Sequence, residues 1–357
     1  MHVISGSKYL AKPIIISYAI IVLLFVWAGK LHAQGFLHTE DTQIVNGNNA
    51  PFLIRSMGLG GWMLQEGYHM KTAGIADTQH EIENKLTALT SREFKDEFYK
   101  LWLQNHFTRR DLDSLKTWGF NAVRPALHYQ WFTPAIENEP VQGEITWRQK
   151  GFTMLDSLVE WCSENEMYVI FDLHAAPGGQ GVNAPISDYN PNKPSLWESE
   201  ANKRKTAALW KKIAARYADE PWVGGYDLIN ETNWTFQGKD NKNGCEDTKN
   251  KPLRTLMERI TDSIRKVDNN HIIFVEGNCW ANNFKGMTPP WDENMVYSFH
   301  RYWNPNTRET IQQFLDMRET YNVPLWMGES GENSNAWFTA SIRLLEEHDI
   351  GWSWWTE

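Results

Sequence analysis

Eight short runs of apolar, β-branched and aromatic residues recur along the chain after residue 50, and amphipathic stretches separate most of them. Near-continuous hydrophobic runs of this kind are typical of strands that are buried on both faces of a parallel sheet. The runs that we predict to be strands are 54–62, 121–129, 167–176, 223–232, 271–278, 295–302, 324–331 and 351–357. The helical stretches between them include 148–165, 199–218, 251–267, 307–321 and 335–347. Eight such units favour an α/β fold of the (β/α)8 TIM barrel type over an open doubly wound sheet.

The two ends of this pattern are less regular than its middle. Residues 34–50 form an entry segment, and residues 80–118 hold one helix besides the helix expected after the first strand. The sequence stops on or just past the eighth strand, where a full barrel continues into a covering helix. We therefore expect residues 34–357 to be one barrel domain that is truncated after strand eight and lacks its final helix.

The first 33 residues have the pattern of a signal peptide. Lys8 and Lys12 precede an apolar run over 13–29, and Ala33 supplies a small residue at the cleavage point. We expect cleavage after Ala33, a secreted or periplasmic protein, and no membrane association after the signal is removed. Because the apolar run is slightly long, an uncleaved membrane anchor remains the alternative.

Charge and composition narrow the class of partner. The formal net charge of −9 argues against a nucleic-acid partner, which would require a basic face. The 19 Trp residues either fill a large core or stack on sugar rings, and the sequence leaves both open. Of the three cysteines, Cys162 lies in a helical stretch, whereas Cys245 and Cys279 fall in loops that could meet at one barrel end and form a disulfide. We expect no metal and no organic cofactor, and a monomer.

The chemistry of the chain lies at the predicted strand ends. Active sites of these barrels form at the carboxyl ends of the strands. The polar and aromatic residues at those ends are Trp62, Arg124, His174, Asn230, Glu231, Glu276, His300, Tyr302, Glu329 and Trp355. Glu231 and Glu329 end the fourth and seventh strands, so they would face each other across the mouth. Glycoside hydrolysis needs two such carboxyl groups, and a separation of about 5 Å favours retention of configuration.

These residues also give the chain a specific resemblance. It is similar to glycoside hydrolase family 5, the cellulase family, whose catalytic glutamates lie on strands four and seven. Eight family positions occur in order, at Arg124, His174, Asn230, Glu231, His300, Tyr302, Glu329 and Trp355. The local motifs Leu59-Gly60-Gly61-Trp62 and 174–180 look most like the branch that contains exo-β-1,3-glucanases. Thr232 departs from the family, since many members have Pro there.

The resemblance implies a role for each of these positions. Glu231 would be the general acid and then the general base, and Glu329 would be the nucleophile. Arg124 and Tyr302 would hold Glu329 ionised, whereas His174 and His300 would orient the sugar and the acid pair. Asn230 would bind the 2-hydroxyl of the sugar, and Trp355 would form the floor of the site. Candidate sugar platforms, for which core packing is the alternative, are Trp62, Trp131, Trp234, Trp280 and Trp303.

Other carboxylates and other functions receive less support. We expect Glu276 to support the site or contact the substrate, Glu332 to be solvated, and Asp172 and Asp227 to anchor loops or neighbouring side chains.

The preferred function is a retaining endo- or exo-acting β-glycosidase on a β-glucan, and the alternatives are a β-mannanase or a weakly active carbohydrate-binding protein. No strand ends in Lys, as an aldolase would need, and the first strand has no His-x-His for an amidohydrolase. Loops 62–80, 178–198 and 233–250 would decide between exo and endo action.

Overall fold

The computed structural model describes His2 and residues 35–238 and 243–355. Eight parallel strands close into a barrel in chain order, as the sequence pattern predicts. The barrel strands are β3 (Arg55–Leu59), β4 (Ala122–His128), β5 (Tyr168–Ala175), β6 (Val223–Asp227), β7 (Ile272–Glu276), β8 (Met295–His300), β9 (Leu325–Ser330) and β10 (Gly351–Trp354). The last strand, β10, pairs with both β9 and β3, so the ring is complete. The closed ring of eight strands gives no support to the expected truncation after the eighth strand.

Nine helices lie in the described part of the chain besides two short 3-10 turns and a left-handed turn at Asn278–Ala281. They are α1 (Gln79–Leu89), α2 (Arg92–Asn105), α3 (Arg109–Thr117), α4 (Gln149–Glu164), α5 (Ala184–Ser187), α6 (Glu200–Tyr217), α7 (Lys251–Arg265), α8 (Arg308–Tyr321) and α9 (Asn335–Glu346). The five helical stretches predicted after residue 148 agree with the structure within two residues at each end. Among the described residues, none of the helices has both the length and the apolarity needed to cross a bilayer.

The region between the first two barrel strands holds three helices where the sequence pattern indicated two. Thr78 and Glu81 form a capping box that starts α1, and the hydroxyl of Ser91 accepts the backbone N–H of Phe94 to start α2. Thr108 then starts α3. Such polar caps satisfy the unpaired N–H groups of a first helical turn, so three of them in 31 residues divide the segment into three helices.

The entry segment is an antiparallel hairpin, β1 (His38–Glu40) and β2 (Gln43–Val45), that closes the amino-terminal end of the barrel. Leu37 and Ile44 are buried with Ile54 and with inward residues from the starts of the barrel strands. Thr39 donates its backbone N–H to Asn294 just before β8, at 2.9 Å, which fixes the hairpin to the barrel. The predicted leader over residues 1–33 lies outside the described residues, apart from His2.

The interior of the barrel changes from apolar to charged along each strand. In β5, Tyr168 and Ile170 pack in the interior with the hairpin, whereas Val169 and Phe171 face the helices. The alternation of side chains along a strand then points Asp172 and His174 inward at the other end. Arg124, Glu276 and His300 follow the same rule in their strands. An apolar plug therefore fills the amino end, and the carboxyl end is left to ionisable groups.

Candidate active site

Two buried glutamates meet at the carboxyl end of the barrel. Glu231 lies four residues past β6, Glu329 lies near the end of β9, and each is only 5% exposed. One carboxylate oxygen of each glutamate and one ring nitrogen of His300 all lie within 4.8 Å of one another. This separation agrees with the value of about 5 Å expected for a pair of glutamates that act with retention.

A cavity of about 550 Å³ opens above this pair. It is lined by carboxylates, imidazoles and aromatic rings from most of the barrel loops, including Glu66, Tyr68, His174, Glu231, Trp280, His300, Tyr302, Trp303, Glu329, Glu332 and Trp355. Aromatic walls combined with a few convergent polar groups are typical of a site for a small ligand or for one end of a chain. The volume of the cavity is sufficient for a sugar ring above the two glutamates.

Arg124, at the middle of β4, is fully buried beneath the cavity and holds the acidic groups together. Its guanidinium donates to Asp227 at 3.1 and 3.0 Å, to Glu276 at 2.9 Å and to Glu329 at 2.9 Å. Asp172 lies 3.2 Å away. One guanidinium thus contacts four carboxylates, which is possible because its donors point in several directions in one plane.

Burial works against the charged form of two of these carboxyl groups. Burial raises the pKa values of Asp172 and Asp227 well above the ordinary value, although Arg124 acts in the opposite direction. Burial also acts to lower the pKa of Arg124, but the surrounding carboxylates outweigh it and keep the guanidinium charged. Asp172, Asp227 and Glu276 could in principle hold a metal ion, but Arg124 already provides the positive charge between them.

His174 lines the cavity, and Asn230 lies beneath it. Burial lowers the pKa of His174 to about 3, so its ring is neutral at ordinary pH. Its Nδ1 lies 2.7 Å from Asp172, and its Nε2 lies 3.1 Å from the side-chain nitrogen of Asn230. Because Asn230 donates to Nε2, the proton of the neutral ring resides on Nδ1. The other end of Asn230 accepts from Arg124 at 2.8 Å, so the amide is held on both sides.

The two glutamates have different partners. The Oε1 of Glu329 accepts from the hydroxyl of Tyr302 at 2.7 Å, and its Oε2 accepts from Arg124. Burial, and then the charge of Glu329, raise the pKa of Tyr302 well above its ordinary value, so the phenol stays a donor. The Oε1 of Glu231 lies 2.8 Å from Nδ1 of His300. Glu329 therefore has both oxygens held by a cation and a phenol, whereas Glu231 is contacted by an imidazole.

Trp355 follows β10 and forms one wall of the cavity. Its ring stacks on His174 with a centroid distance of 4.8 Å and an interplanar angle of 8°. Its indole N–H donates to the hydroxyl of Tyr68 at 2.8 Å. The structure thus places all eight positions that the resemblance assigned at the same end of the barrel, with Arg124 and Asn230 below the cavity and the others at its surface.

The predicted sugar platforms divide into two groups. Trp280 and Trp303 line the cavity. Trp62 is corrected to a core residue: the chain turns at Gly61, which has a φ of +75°, and the indole of Trp62 packs against Phe107 and donates to a backbone carbonyl of α2. The remaining two candidates, Trp131 and Trp234, are half-buried and pack against Tyr99 and Tyr189 instead of lining the cavity.

Two lining residues in the loop after β3 escaped the sequence analysis. Glu66 is buried, and one carboxyl oxygen lies 4.0 Å from Nε2 of His174. Burial and the neighbouring Glu329, Glu231 and Glu332 raise the pKa of Glu66 well above its ordinary value. Glu332, which we expected to be solvated, also lines the cavity. The available signal for Glu66 and Tyr68 was their closeness to the end of the first strand.

The predicted disulfide between Cys245 and Cys279 is present, and Cys162 is buried and free. The bond joins the loop after β6 to the left-handed turn after β7. Trp280 follows Cys279 directly, so the disulfide anchors the backbone of a residue that lines the cavity.

A comparison with models of known protein families shows which family the chain belongs to. The family model described as Cellulase (glycosyl hydrolase family 5) matches residues 78–357. The chain belongs to glycoside hydrolase family 5. Membership of this family makes the protein a cellulase-like glycoside hydrolase.

Curated relatives of this family-5 chain have several names. It is 28% identical over 271 residues to a beta-xylosidase of Phanerodontia chrysosporium, covering 75% of this chain and 52% of that protein. It is 23% identical over 323 residues to endoglucanase C of Acetivibrio thermocellus, covering 72% and 87%. A glucan 1,3-beta-glucosidase of Candida oleophila is 28% identical over 195 residues, covering 50% and 42%. The chain thus spans about half the length of the xylosidase.

Solved structures show the same fold. The beta-glucanase SdGluc5_26A from Saccharophagus degradans superposes with a TM-score of 0.58 at 18% identity, over 92% of this chain and 86% of that one. The catalytic domain of the Thermobifida fusca endoglucanase Cel5A gives a TM-score of 0.57 at 17% identity, over 91% and 85%. At such identities the likeness concerns the barrel, and the substrate must be argued from the site.

Proposed function

We propose that this family-5 protein is a retaining β-glycosidase that hydrolyses a β-glucan-type polysaccharide by double displacement. The observation that carries the proposal is the short distance between Glu231 and Glu329, whose nearest oxygens lie within 4.8 Å. Inverting enzymes hold their carboxyl groups roughly 6.5–9.5 Å apart to leave room for a water molecule. A pair this close instead allows one carboxylate to attack the sugar directly.

The contacts of each glutamate suggest its role. Glu329 accepts hydrogen bonds from Arg124 and Tyr302 on its two oxygens, which favours a carboxylate ready to attack the anomeric carbon. Glu231 would protonate the leaving glycosidic oxygen as that bond breaks. A water molecule would then release the sugar from Glu329 and give its proton back to Glu231, which restores both groups.

The walls of the cavity support a β-linked glucan as the substrate. Trp355, stacked on His174, offers a flat apolar face beside the glutamates, and Trp280 and Trp303 offer two more in the loops. Relatives of this chain include proteins named endoglucanase and glucan 1,3-beta-glucosidase. The beta-glucanase of similar fold is also described in complex with cellotetraose. β-Mannan and xylan are the competing substrates, since loops outside the barrel set the sugar preference.

A panel of polysaccharides tests the proposal. We expect the purified protein to hydrolyse a β-glucan faster than β-mannan or xylan, and NMR of the first product to show the β anomer. Glu231→Gln and Glu329→Gln should each lower turnover by about 10³-fold or more, because each removes a group that acts on the scissile bond. The length of the products separates exo from endo action.

A surface carboxylate provides the matched control for this panel. Glu97→Gln, on the exposed face of α2, should retain wild-type turnover. Binding of oligosaccharides without hydrolysis would instead identify a carbohydrate-binding protein, and an α-anomeric first product would contradict the retaining mechanism.

A further inference from the structure

Glu276 is the last residue of β7, and it is fully buried. Both of its carboxylate oxygens are engaged. The Oε2 accepts the backbone N–H of Glu231 at 2.6 Å, and the Oε1 accepts from Arg124 at 2.9 Å and lies 3.3 Å from Nε2 of His300. Glu276 does not line the cavity. Any effect that it has on a bound sugar must therefore pass through these three neighbours.

The first neighbour, Glu231, has a strained backbone. Its φ is +39°, within the left-handed region that residues other than glycine rarely adopt. Such a conformation persists only where surrounding contacts fix it. Two hydrogen bonds hold the backbone at this point: the N–H of Glu231 donates to Glu276 at 2.6 Å, and its carbonyl accepts from the side chain of Asn233 at 2.8 Å. A carboxylate is a strong acceptor, and burial excludes water from competing for the N–H.

The second neighbour, His300, connects Glu276 to the side chain of Glu231. Its Nδ1 lies 2.8 Å from Oε1 of Glu231, and its Nε2 faces Glu276. The ring of His300 therefore lies between the two carboxyl groups, with one nitrogen beside each. Burial acts to lower the pKa of His300, but Glu276, Glu329 and Glu231 together raise it well above its ordinary value. The other charged or titratable groups near this ring are Asp172, Asp227 and His174.

We propose that Glu276 is a positioning residue for the acid/base Glu231, because it fixes the backbone of Glu231 directly and the carboxyl group of Glu231 through His300. The inference rests on the proposed role of Glu231 as acid and base. Without the charge at Glu276, the Glu231 side chain would still be present, but its carboxyl group would be free to rotate away from the leaving oxygen. Proton delivery would then suffer more than the attack by Glu329.

Aryl β-glycosides with different leaving groups separate these two events. A phenyl glycoside needs a proton on its departing oxygen, whereas a 2,4-dinitrophenyl glycoside departs without one. We expect Glu276→Gln to lower kcat/KM on the phenyl substrate about 30-fold or more and on the dinitrophenyl substrate less than about threefold. The glutamine keeps the shape of the side chain, but it loses the charge and replaces one of the two accepting oxygens with an N–H donor. Glu276→Asp, measured in the same way, keeps the charge but shortens the reach, and it should show the same selectivity.

Asp268→Asn is the matched control. Asp268 is a buried carboxylate that precedes the other end of β7, where it accepts from Tyr226 and His271 at 2.6 Å each. This variant should not discriminate between the two leaving groups. Equal losses on both substrates, or no loss, in Glu276→Gln and Glu276→Asp would overturn the positioning role while leaving the proposed function intact. Failure of the wild-type protein to cleave either glycoside would overturn both.

Discussion

At the scale of single residues, Arg124 explains how so many acids share one site. Its guanidinium is the permanently charged cation in contact with Asp227, Glu276 and Glu329, and it also binds the amide of Asn230. Removing one partner of a buried ionic network leaves the others unpaired, which is strongly destabilising. The arginine is therefore expected to matter for folding as well as for the position of the Glu329 carboxyl group.

Arg124→Lys tests this role, because lysine keeps the charge but replaces the planar guanidinium with a single ammonium group. We expect turnover to fall about 100-fold or more and the free energy of unfolding to fall by about 3–5 kcal/mol, measured by urea denaturation. Arg216→Lys is the control, since Arg216 pairs with Asp156 at an exposed position. This control variant should lower the free energy of unfolding by less than about 1 kcal/mol. Similar losses in both variants would argue against the network.

The sequence placed individual residues at this end of the barrel best where a strand fixed their direction. Arg124, His174 and Glu329 were found because side chains alternate along a strand and the barrel brings its carboxyl ends together. Glu66 was missed because it lies in a loop whose path no periodicity describes. Trp62 was misassigned because the left-handed turn at Gly61 redirects its side chain into the helical layer.

At the scale of elements, Asp188 joins two of the long loops around the cavity. Its carboxylate contacts Nδ1 of His80 at 2.7 Å and Nε2 of His128 at 2.9 Å, and it accepts the backbone N–H of His80. His80 belongs to the start of α1, and Asp188 ends α5. Burial alone would raise the pKa of Asp188, but the hydrogen bonds from His128 and His80 hold it well below its ordinary value. The same hydrogen bond raises the pKa of His80.

This contact predicts how stability depends on pH. The lowered pKa of Asp188 adds stability above about pH 4 that is lost as the pH falls, and the raised pKa of His80 adds stability below about pH 6.5 that is lost as the pH rises through its folded value. Asp188→Asn should therefore lower the thermal midpoint most between about pH 4.5 and 6.5, and less at pH 9. Asp292→Asn, which removes a partner of Arg265, is the control, and its thermal midpoint should stay equally far below that of the wild type at pH 9. A difference in thermal midpoint between Asp188→Asn and the wild type that does not change with pH would contradict the predicted role of this contact.

Elements were predicted more reliably in the barrel than before it. The eight strands and five of the helices follow from hydrophobic runs that the closed sheet requires. The hairpin β1–β2 was not recognised because its strands have three residues each, too few to show a period. The third helix before β4 depended on capping residues that the hydrophobic pattern does not reveal.

At the scale of the whole molecule, one disulfide connects loops at the active end, and we propose that the protein is exported. Disulfides form and persist in oxidising compartments, and the pattern of residues 1–33 is that of a signal peptide. Mass spectrometry of protein expressed with this leader should find a mature chain that begins at Gln34 and contains the bond between Cys245 and Cys279. Recovery of the uncleaved chain from membranes would favour the anchor, and finding Cys245 and Cys279 reduced would contradict export to an oxidising compartment.

The acidic surroundings of the cavity also affect which inhibitors would bind. Glu66, Glu231, Glu329 and Glu332 all lie along its surface, whereas the guanidinium of Arg124 is buried below them. A sugar mimic that carries a protonated nitrogen in its ring would place a positive charge among these acids. Such amines would therefore be held more tightly than the uncharged sugars whose shape they copy.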